Sequence, residues 1–332
     1  MSFAGETMPN PNFQDLVSAQ NRIKNEINQT PFLASHVLNQ LTGAKVWIKA
    51  ECLQPRGAFK IRGASNAILK RRAEAIAKGV IAFSSGNHAQ GVALACKRIG
   101  AKATIIVPDD APLIKLNAAR DDGAEIIFYN RKTDSREAIG AALHAKTGAI
   151  LVPPYDHEDV IAGQGTIGLE VCEFAQGMSM TFDEVLVPAS GGGLASGVAL
   201  ALERLSPNTK LLIAEPENHA RFNKSLDAGV RIAIENGAKP SILDALMSPT
   251  CGEITFPILS RFGASAQGVS DNSCLRAIKF AFENLKIVVE PGGAAALALL
   301  LYGNLDLEGK NVCVIASGGN IDAEMFARAL AT

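Results

Sequence analysis

The chain has few aromatic residues, no surplus of either charge and no long apolar run, and each shortage removes a class of protein. Aromatics make up 5% of 332 residues, and Trp occurs once. Lys and Arg number 32 against 33 Asp and Glu, a formal net charge of −1, without a long basic run. That balance argues against a nucleic-acid or acidic-membrane partner. No uninterrupted apolar stretch is long enough to cross a bilayer. Residues 1–8 lack a basic start followed by an apolar run, so no signal peptide is read there, and the cytoplasm is the default expectation. None of the six cysteines (Cys52, Cys96, Cys172, Cys251, Cys274 and Cys313) forms a Cys-x-x-Cys pair. Most lie in apolar runs, which predicts buried reduced thiols in a reducing compartment. Paired His, Cys/His clusters and His-Glu-x-x-His are also missing, which argues against zinc.

What is present points to a large α/β protein. Hydrophobic residues reach 48% and charged residues 20%, enough apolar material for a sizeable core, and the length favours two domains. Glycine is plentiful at 30 residues, as tight strand-to-helix turns require. Apolar strands are predicted at 46–50, 80–84, 103–107, 125–129, 150–152, 185–187, 211–214 and 312–315. Helices are predicted at 13–27, 89–99, 113–121, 135–146, 165–175, 195–205, 272–284, 293–301 and from 322 on. Near-continuous apolar strands alternating with helices indicate parallel sheets covered on both faces. Residues 1–12 read as disordered, 153–159 as a turn-rich domain crossing, and 218–256 as irregular.

Four stretches carry chemistry. In Gln54-Pro-Arg-Gly-Ala-Phe-Lys60-Ile-Arg-Gly63, an amine sits in partly apolar company ahead of a helix. Lost solvation lowers a lysine pKa and makes the amine a usable nucleophile toward a carbonyl. Alone, the stretch equally suits a lysine snorkelling at a helix start. Ser190-Gly-Gly-Gly-Leu194 follows an apolar strand and opens a helix, a context suited to holding a phosphate on backbone N–H groups, or a turn that merely needs glycine. Ser84-Ser-Gly-Asn-His88 and Ala316-Ser-Gly-Gly-Asn320 end strands in the same manner. The first offers a seat for a carboxylate or ring oxygen, or simple helix capping. Three such turns at the carboxyl ends of parallel strands converge on one crevice in open α/β sheets. A rival lies in Gly163-Gln-Gly-Thr-Ile-Gly168, which matches dinucleotide spacing with Asp183 and Glu184 beyond it, although no clear strand leads into it. It is the basis of an alternative reading as an NAD-dependent dehydrogenase.

As a set, the parts resemble the threonine/serine dehydratase and serine racemase family, pyridoxal-phosphate enzymes of the tryptophan-synthase-β-like fold (fold type II). The matching pieces run in family order: Gly57-Ala-Phe-Lys-Ile-Arg-Gly63, Ser84-Ser-Gly-Asn-His-Ala-Gln90, Val160-Ile-Ala-Gly-Gln-Gly-Thr166, Ser190-Gly-Gly-Gly-Leu194, Val289-Glu-Pro-Gly292 and Ser317-Gly-Gly-Asn320. The resemblance implies that Lys60 is the Schiff-base lysine and the proton carrier at the substrate α-carbon. It puts Phe59 and Glu290 beside the cofactor ring, Asn87 on the ring hydroxyl and Ser317 opposite the pyridine nitrogen. Ser190, Gly191, Gly192, Gly193 and Leu194 would bind phosphate, and Ser84, Ser85 and His88 the substrate carboxylate. A serine opposite the ring nitrogen cannot protonate it as a carboxylic acid would, which favours prompt loss of a β-hydroxyl.

The chain departs from the family pattern in three places. Arg56 stands where many members have Thr, as a domain-interface ion pair or as a clamp for a second substrate carboxylate. Ser85 replaces the Ala of many dehydratases and is shared with serine racemases, as a carboxylate ligand or as a proton donor on the ring face opposite Lys60. Arg221 stands at an acidic position of the metal-activated members' pattern, in Glu215-Pro-Glu-Asn-His219-Ala-Arg221, where it would repel a divalent ion and pair with Glu215 instead. No metal is predicted. The resemblance implies a large cofactor domain (1–62 and 153–332), a small mobile substrate domain (63–152) and a homodimer. It also leads us to expect no added C-terminal regulatory domain. The expected reaction is β-elimination converting a β-hydroxy amino acid to a 2-oxo acid and ammonia, with threonine or serine first, then 3-hydroxyaspartate, and serine racemisation third.

Overall fold

Strands built almost wholly from apolar residues need cover on both faces, and the chain folds accordingly. The computed structural model describes residues 10–111, 113–235 and 237–332. Among the described residues ten strands form two sheets. They are β1 (Phe32–Ala34), β2 (Lys45–Lys49), β3 (Val80–Phe83), β4 (Ala103–Pro108), β5 (Glu125–Tyr129), β6 (Ile150–Leu151), β7 (Glu184–Pro188), β8 (Lys210–Pro216), β9 (Ser265–Val269) and β10 (Asn311–Ile315). The six-stranded sheet has the order β1-β2-β10-β7-β8-β9, parallel except for the β1/β2 pair. The four-stranded sheet, β5-β4-β3-β6, is wholly parallel. This is the expected α/β architecture of two parallel sheets covered by helices. The smaller sheet falls inside residues 63–152. The helix Lys60–Lys70 runs unbroken across the expected boundary at 62/63.

Two strands lie where none was predicted. β1 is an apolar Phe-Leu-Ala but only three residues long, and β9 reads Ser-Ala-Gln-Gly-Val with one buried position and no apolar run. Both are edge strands, where one-sided burial relaxes the pattern. The irregular stretch 218–256 contains the helix Arg221–Ala228 and part of another, Thr255–Phe262. Of residues 1–12, expected to be disordered, 1–9 lie outside the described residues. Among the described residues no helix is long and apolar enough to cross a membrane. All six cysteines are free, and all but Cys172 are buried. Burial pushes the Cys96 and Cys313 thiols up to about 12.

The dinucleotide-like motif is corrected by the fold. Gly163, Gly165 and Gly168 lie in the middle of the buried helix Glu158–Gly177, not in a turn after a strand. Their missing side chains let helices touch backbone to backbone. A Cβ on Gly163 would meet Gly63 Cα at 2.6 Å, and one on Gly165 would meet the Gly197 carbonyl at 2.9 Å. The glycines thus pack this helix against Lys60–Lys70 on one side and Gly193–Leu205 on the other. A helix interior presents no free N–H groups to a pyrophosphate, so the nicotinamide alternative loses its site.

Candidate active site

Lys60 is the first residue of its helix, and burial rather than a neighbouring charge lowers its pKa to about 8. Its Nζ donates to the Pro154 carbonyl at 2.6 Å and lies 5.1 Å from the centroid of the half-buried Phe59 ring. Only the neutral amine attacks a carbonyl, so a depressed pKa raises its population near neutrality. We expect the rate at which cofactor-free protein takes up pyridoxal phosphate covalently to rise with pH through about 8, not 10.5. Stopped-flow absorbance would measure it, and a midpoint at 10.5 would show that burial does not set this group.

The glycine turn after β7 leads straight into the helix Gly193–Leu205. Gly192 has φ +100°, in the left-handed region that favours glycine. Tyr155, beside Pro154, covers the turn so closely that a Cβ on Gly191 would lie 2.2 Å from its ring, and one on Gly193 would lie 3.1 Å from Tyr155 Cα. The Gly191 carbonyl accepts from Thr255 Oγ1 at 2.6 Å and from Gly252 N at 3.1 Å. Carbonyls tied back in this way leave successive N–H groups and the positive end of the helix for an anion. Leu194 is buried, and Ser190 Oγ accepts from Ser248 N at 3.2 Å.

The other two turns meet each other. Asn87 opens the helix Asn87–Ile99 after β3, and its Nδ2 donates to Glu290 Oε1 at 2.6 Å. Asn320 Nδ2 donates to Asn87 Oδ1 at 2.8 Å and to the Arg56 carbonyl at 2.8 Å. The buried Ser317 accepts from Phe59 N through its carbonyl at 3.1 Å. The segment holding Lys60, the turn after β3 and the turn after β10 therefore form one connected site. Lys60 reaches the glycine cradle through Pro154 and Tyr155. Ser84 and Ser85 are half-buried, and Ser84 Oγ accepts from Gly86 N at 3.2 Å. Sequence reasoning passed over Asn320, Pro154 and Tyr155 as site residues. Asn320 stood in a quoted motif, whereas the other two were hidden in what read as a linker.

Two expectations need qualification. His88 Nε2 lies 2.9 Å from the Val152 carbonyl, to which it donates, and Nδ1 is a buried acceptor with no partner. Burial first, and the Lys60 charge second, push its pKa down to about 3. A neutral ring whose proton is committed to Val152 offers a carboxylate no donor. Arg56 is engaged elsewhere: its Nε donates to Asp122 Oδ2 at 2.7 Å, and Nη2 meets Oδ1 at 2.5 Å. Asp122 also pairs with Lys97 at 3.0 Å, in the last turn of the helix that Asn87 begins. Ten residues of helix rise about 15 Å, so the structure draws the Arg56 side chain toward the far end from the Ser84–His88 turn. It is an ion pair between the two sheet units.

Arg221 does not pair with Glu215 as expected. Glu215 accepts from Phe222 N (2.9 Å) and Asn223 N (2.8 Å), while the Arg221 guanidinium is spent on backbone carbonyls. Among the described residues no cluster of three or more His, Cys, Asp or Glu could hold a metal ion.

A depressed lysine amine, a glycine anion cradle and polar turns meeting at the carboxyl ends of parallel strands define a pyridoxal-phosphate enzyme of fold type II. Comparison with known proteins agrees. A family model described as pyridoxal-phosphate dependent enzyme matches residues 23–318. An L-threo-3-hydroxyaspartate ammonia-lyase of Saccharomyces cerevisiae is 44% identical over 96% of this chain and 95% of its own. A protein of the same name from a Pseudomonas species is 42% identical over 96% and 98%. The structure of maize serine racemase superposes with a TM-score of 0.89 at 35% identity, covering 97% of this chain and 98% of that one. The chain belongs to the pyridoxal-phosphate-dependent enzyme family.

Proposed function

We propose that this protein is a 3-hydroxyaspartate ammonia-lyase, taking the L-threo isomer first and converting it to 2-oxobutanedioate and ammonia. The observation that carries the reading is its near-full-length similarity to two L-threo-3-hydroxyaspartate ammonia-lyases. It displaces threonine and serine, expected first from the motifs, in favour of a substrate with a second carboxylate. Bound pyridoxal phosphate supplies the electron sink that makes the α-proton labile. Lys60 carries the cofactor and, as the neutral amine, takes that proton. Residues 190–194 hold the phosphate, and Asn87, Phe59, Glu290 and Ser317 flank the ring. Ser84 and Ser85 receive the α-carboxylate. Residues 63–152 form the small domain that closes over the substrate.

Arg136 supports the preference for a diacid. It begins the helix Arg136–Thr147, and its guanidinium lies 5.6 Å from the centroid of the Phe83 ring, next to Ser84. Its electrostatic neighbours include Tyr155, which packs on the glycine cradle. It also pairs with Glu137 at 2.8 Å. On these neighbours we assign Arg136 the side-chain carboxylate in place of Arg56. An ionic hydrogen bond contributes about 1.5–3 kcal/mol, so Arg136→Gln should raise KM for 3-hydroxyaspartate roughly 10- to 100-fold and leave serine within about twofold. The deciding assay measures 2-oxo acid from each 3-hydroxyaspartate isomer, L-threonine and L-serine. Turnover of threonine or serine alone would overturn the reading.

A further inference from the structure

The residues around Glu215 do not suit a divalent ion, and the reason assigns a role to Arg221. Its side chain is fully buried, and although the Glu215 charge acts on it, its donors go to backbone carbonyls. Nε donates to the Ser190 carbonyl at 2.9 Å and Nη1 to the His219 carbonyl at 2.7 Å. Nη2 donates to the Ala189 and Leu246 carbonyls, both at 2.9 Å. Four backbone oxygens from three separate segments thus converge on one cation. Oxygens gathered from several loops are what a hard divalent ion uses, but here a guanidinium fills the space. Both Glu215 oxygens are occupied by backbone N–H groups at the start of the Arg221 helix, so the carboxylate is already satisfied.

The position of two of these carbonyls matters for function. Ala189 and Ser190 immediately precede Gly191, Gly192 and Gly193. The Leu246 carbonyl belongs to the segment whose Ser248 N–H bonds Ser190 Oγ at 3.2 Å. We propose that Arg221 is a tethered cation that positions the phosphate cradle, so that cofactor affinity in this protein is set by a side chain and not by a bound divalent ion. By holding the two carbonyls before the glycines, it fixes the direction in which the following N–H groups point. Lysine cannot replace it, because one ammonium with three donors cannot span four fixed acceptors.

The test uses the full chain loaded with pyridoxal phosphate. In the unaltered protein, EDTA or millimolar Mg2+ should change the cofactor dissociation constant less than twofold. A tenfold loss in EDTA, reversed by Mg2+, would overturn the proposal. Arg221→Ala and Arg221→Lys should weaken the cofactor at least tenfold and shift the 31P resonance of its phosphate. Arg221→Ala should recover partly in millimolar guanidinium chloride, whereas a purely structural role would lower thermal stability and leave the 31P resonance of the folded fraction in place. Cofactor affinity within twofold of the parent in either folded variant would also overturn it. Should neither variant fold, the EDTA titration of the unaltered protein decides.

Discussion

Replacing Lys60 with alanine is expected to abolish turnover and to remove the visible absorbance of the lysine-bound cofactor. The loss should be on the order of 10⁴-fold or more, the upper range for a positioned proton carrier, because the same amine also holds the cofactor. The neighbouring His88 is not placed to take over: it is buried, neutral above about 3 and committed to Val152. The glycine cradle is separate from Lys60, so the variant should still bind pyridoxal phosphate through its phosphate and show the spectrum of the free aldehyde. Absorbance titration together with a 2-oxo acid assay would check both halves. Residual activity above about 1% would move the proton carrier away from Lys60, since one such group contributes roughly 10²–10⁴-fold.

Arg62→Met is expected to be among the most destabilising single changes in the chain. Arg62 sits two residues beyond Lys60 and is fully buried. Its Nε and Nη2 donate to Glu51 at 2.8 Å, and its Nη1 donates to Glu170 at 2.6 Å and to Thr166 Oγ1 at 3.0 Å. Lys49 completes the group through Glu170 at 2.5 Å. Two cations and two anions therefore balance in a buried group. Methionine would leave two buried carboxylates facing one lysine, and breaking such a pair costs about 3–5 kcal/mol. The folded pKa of Glu51 is lowered, despite its burial, by the Arg62 guanidinium. The parent should therefore lose this stabilisation only as pH falls through the carboxylate range. Urea unfolding at neutral pH would measure the loss, and a change under 1 kcal/mol would place the group among ordinary surface pairs.

Much of this was legible from residue order alone. β3, β4, β7 and β10 are short apolar runs with turns at their ends, and a strand buried on both faces has no other way to look. The Lys60, Ser84 and Ser190 stretches could be read because special chemistry needs residue types that packing does not. What could not be read depends on partners distant in the chain. Arg56 reads in sequence as an ion pair or a carboxylate clamp, while Arg136 carries no signal there. Only the fold shows Asp122 at one and Phe83 at the other. Glycine spacing in 163–168 misled because close helix packing and phosphate binding both select for a missing side chain. The pairing of Arg221 with Glu215 failed as an expectation because backbone carbonyls, which carry no sequence signal, claimed the guanidinium.

The three helices that meet through glycine act as a gauge. Lys60 begins one, Gly193 begins another, and Glu158–Gly177 is the spacer clamped between them. A cofactor held through its aldehyde by the amine and through its phosphate by the cradle would need the two within a narrow span of each other. That length is machined by contacts in which hydrogen is the only side chain: Gly63 on Gly163, and Gly165 on Gly197. A single methyl at either contact would push the helices apart and misplace the reacting groups without removing any of them. In this protein the tolerance of the chemistry is held by residues that take no part in it.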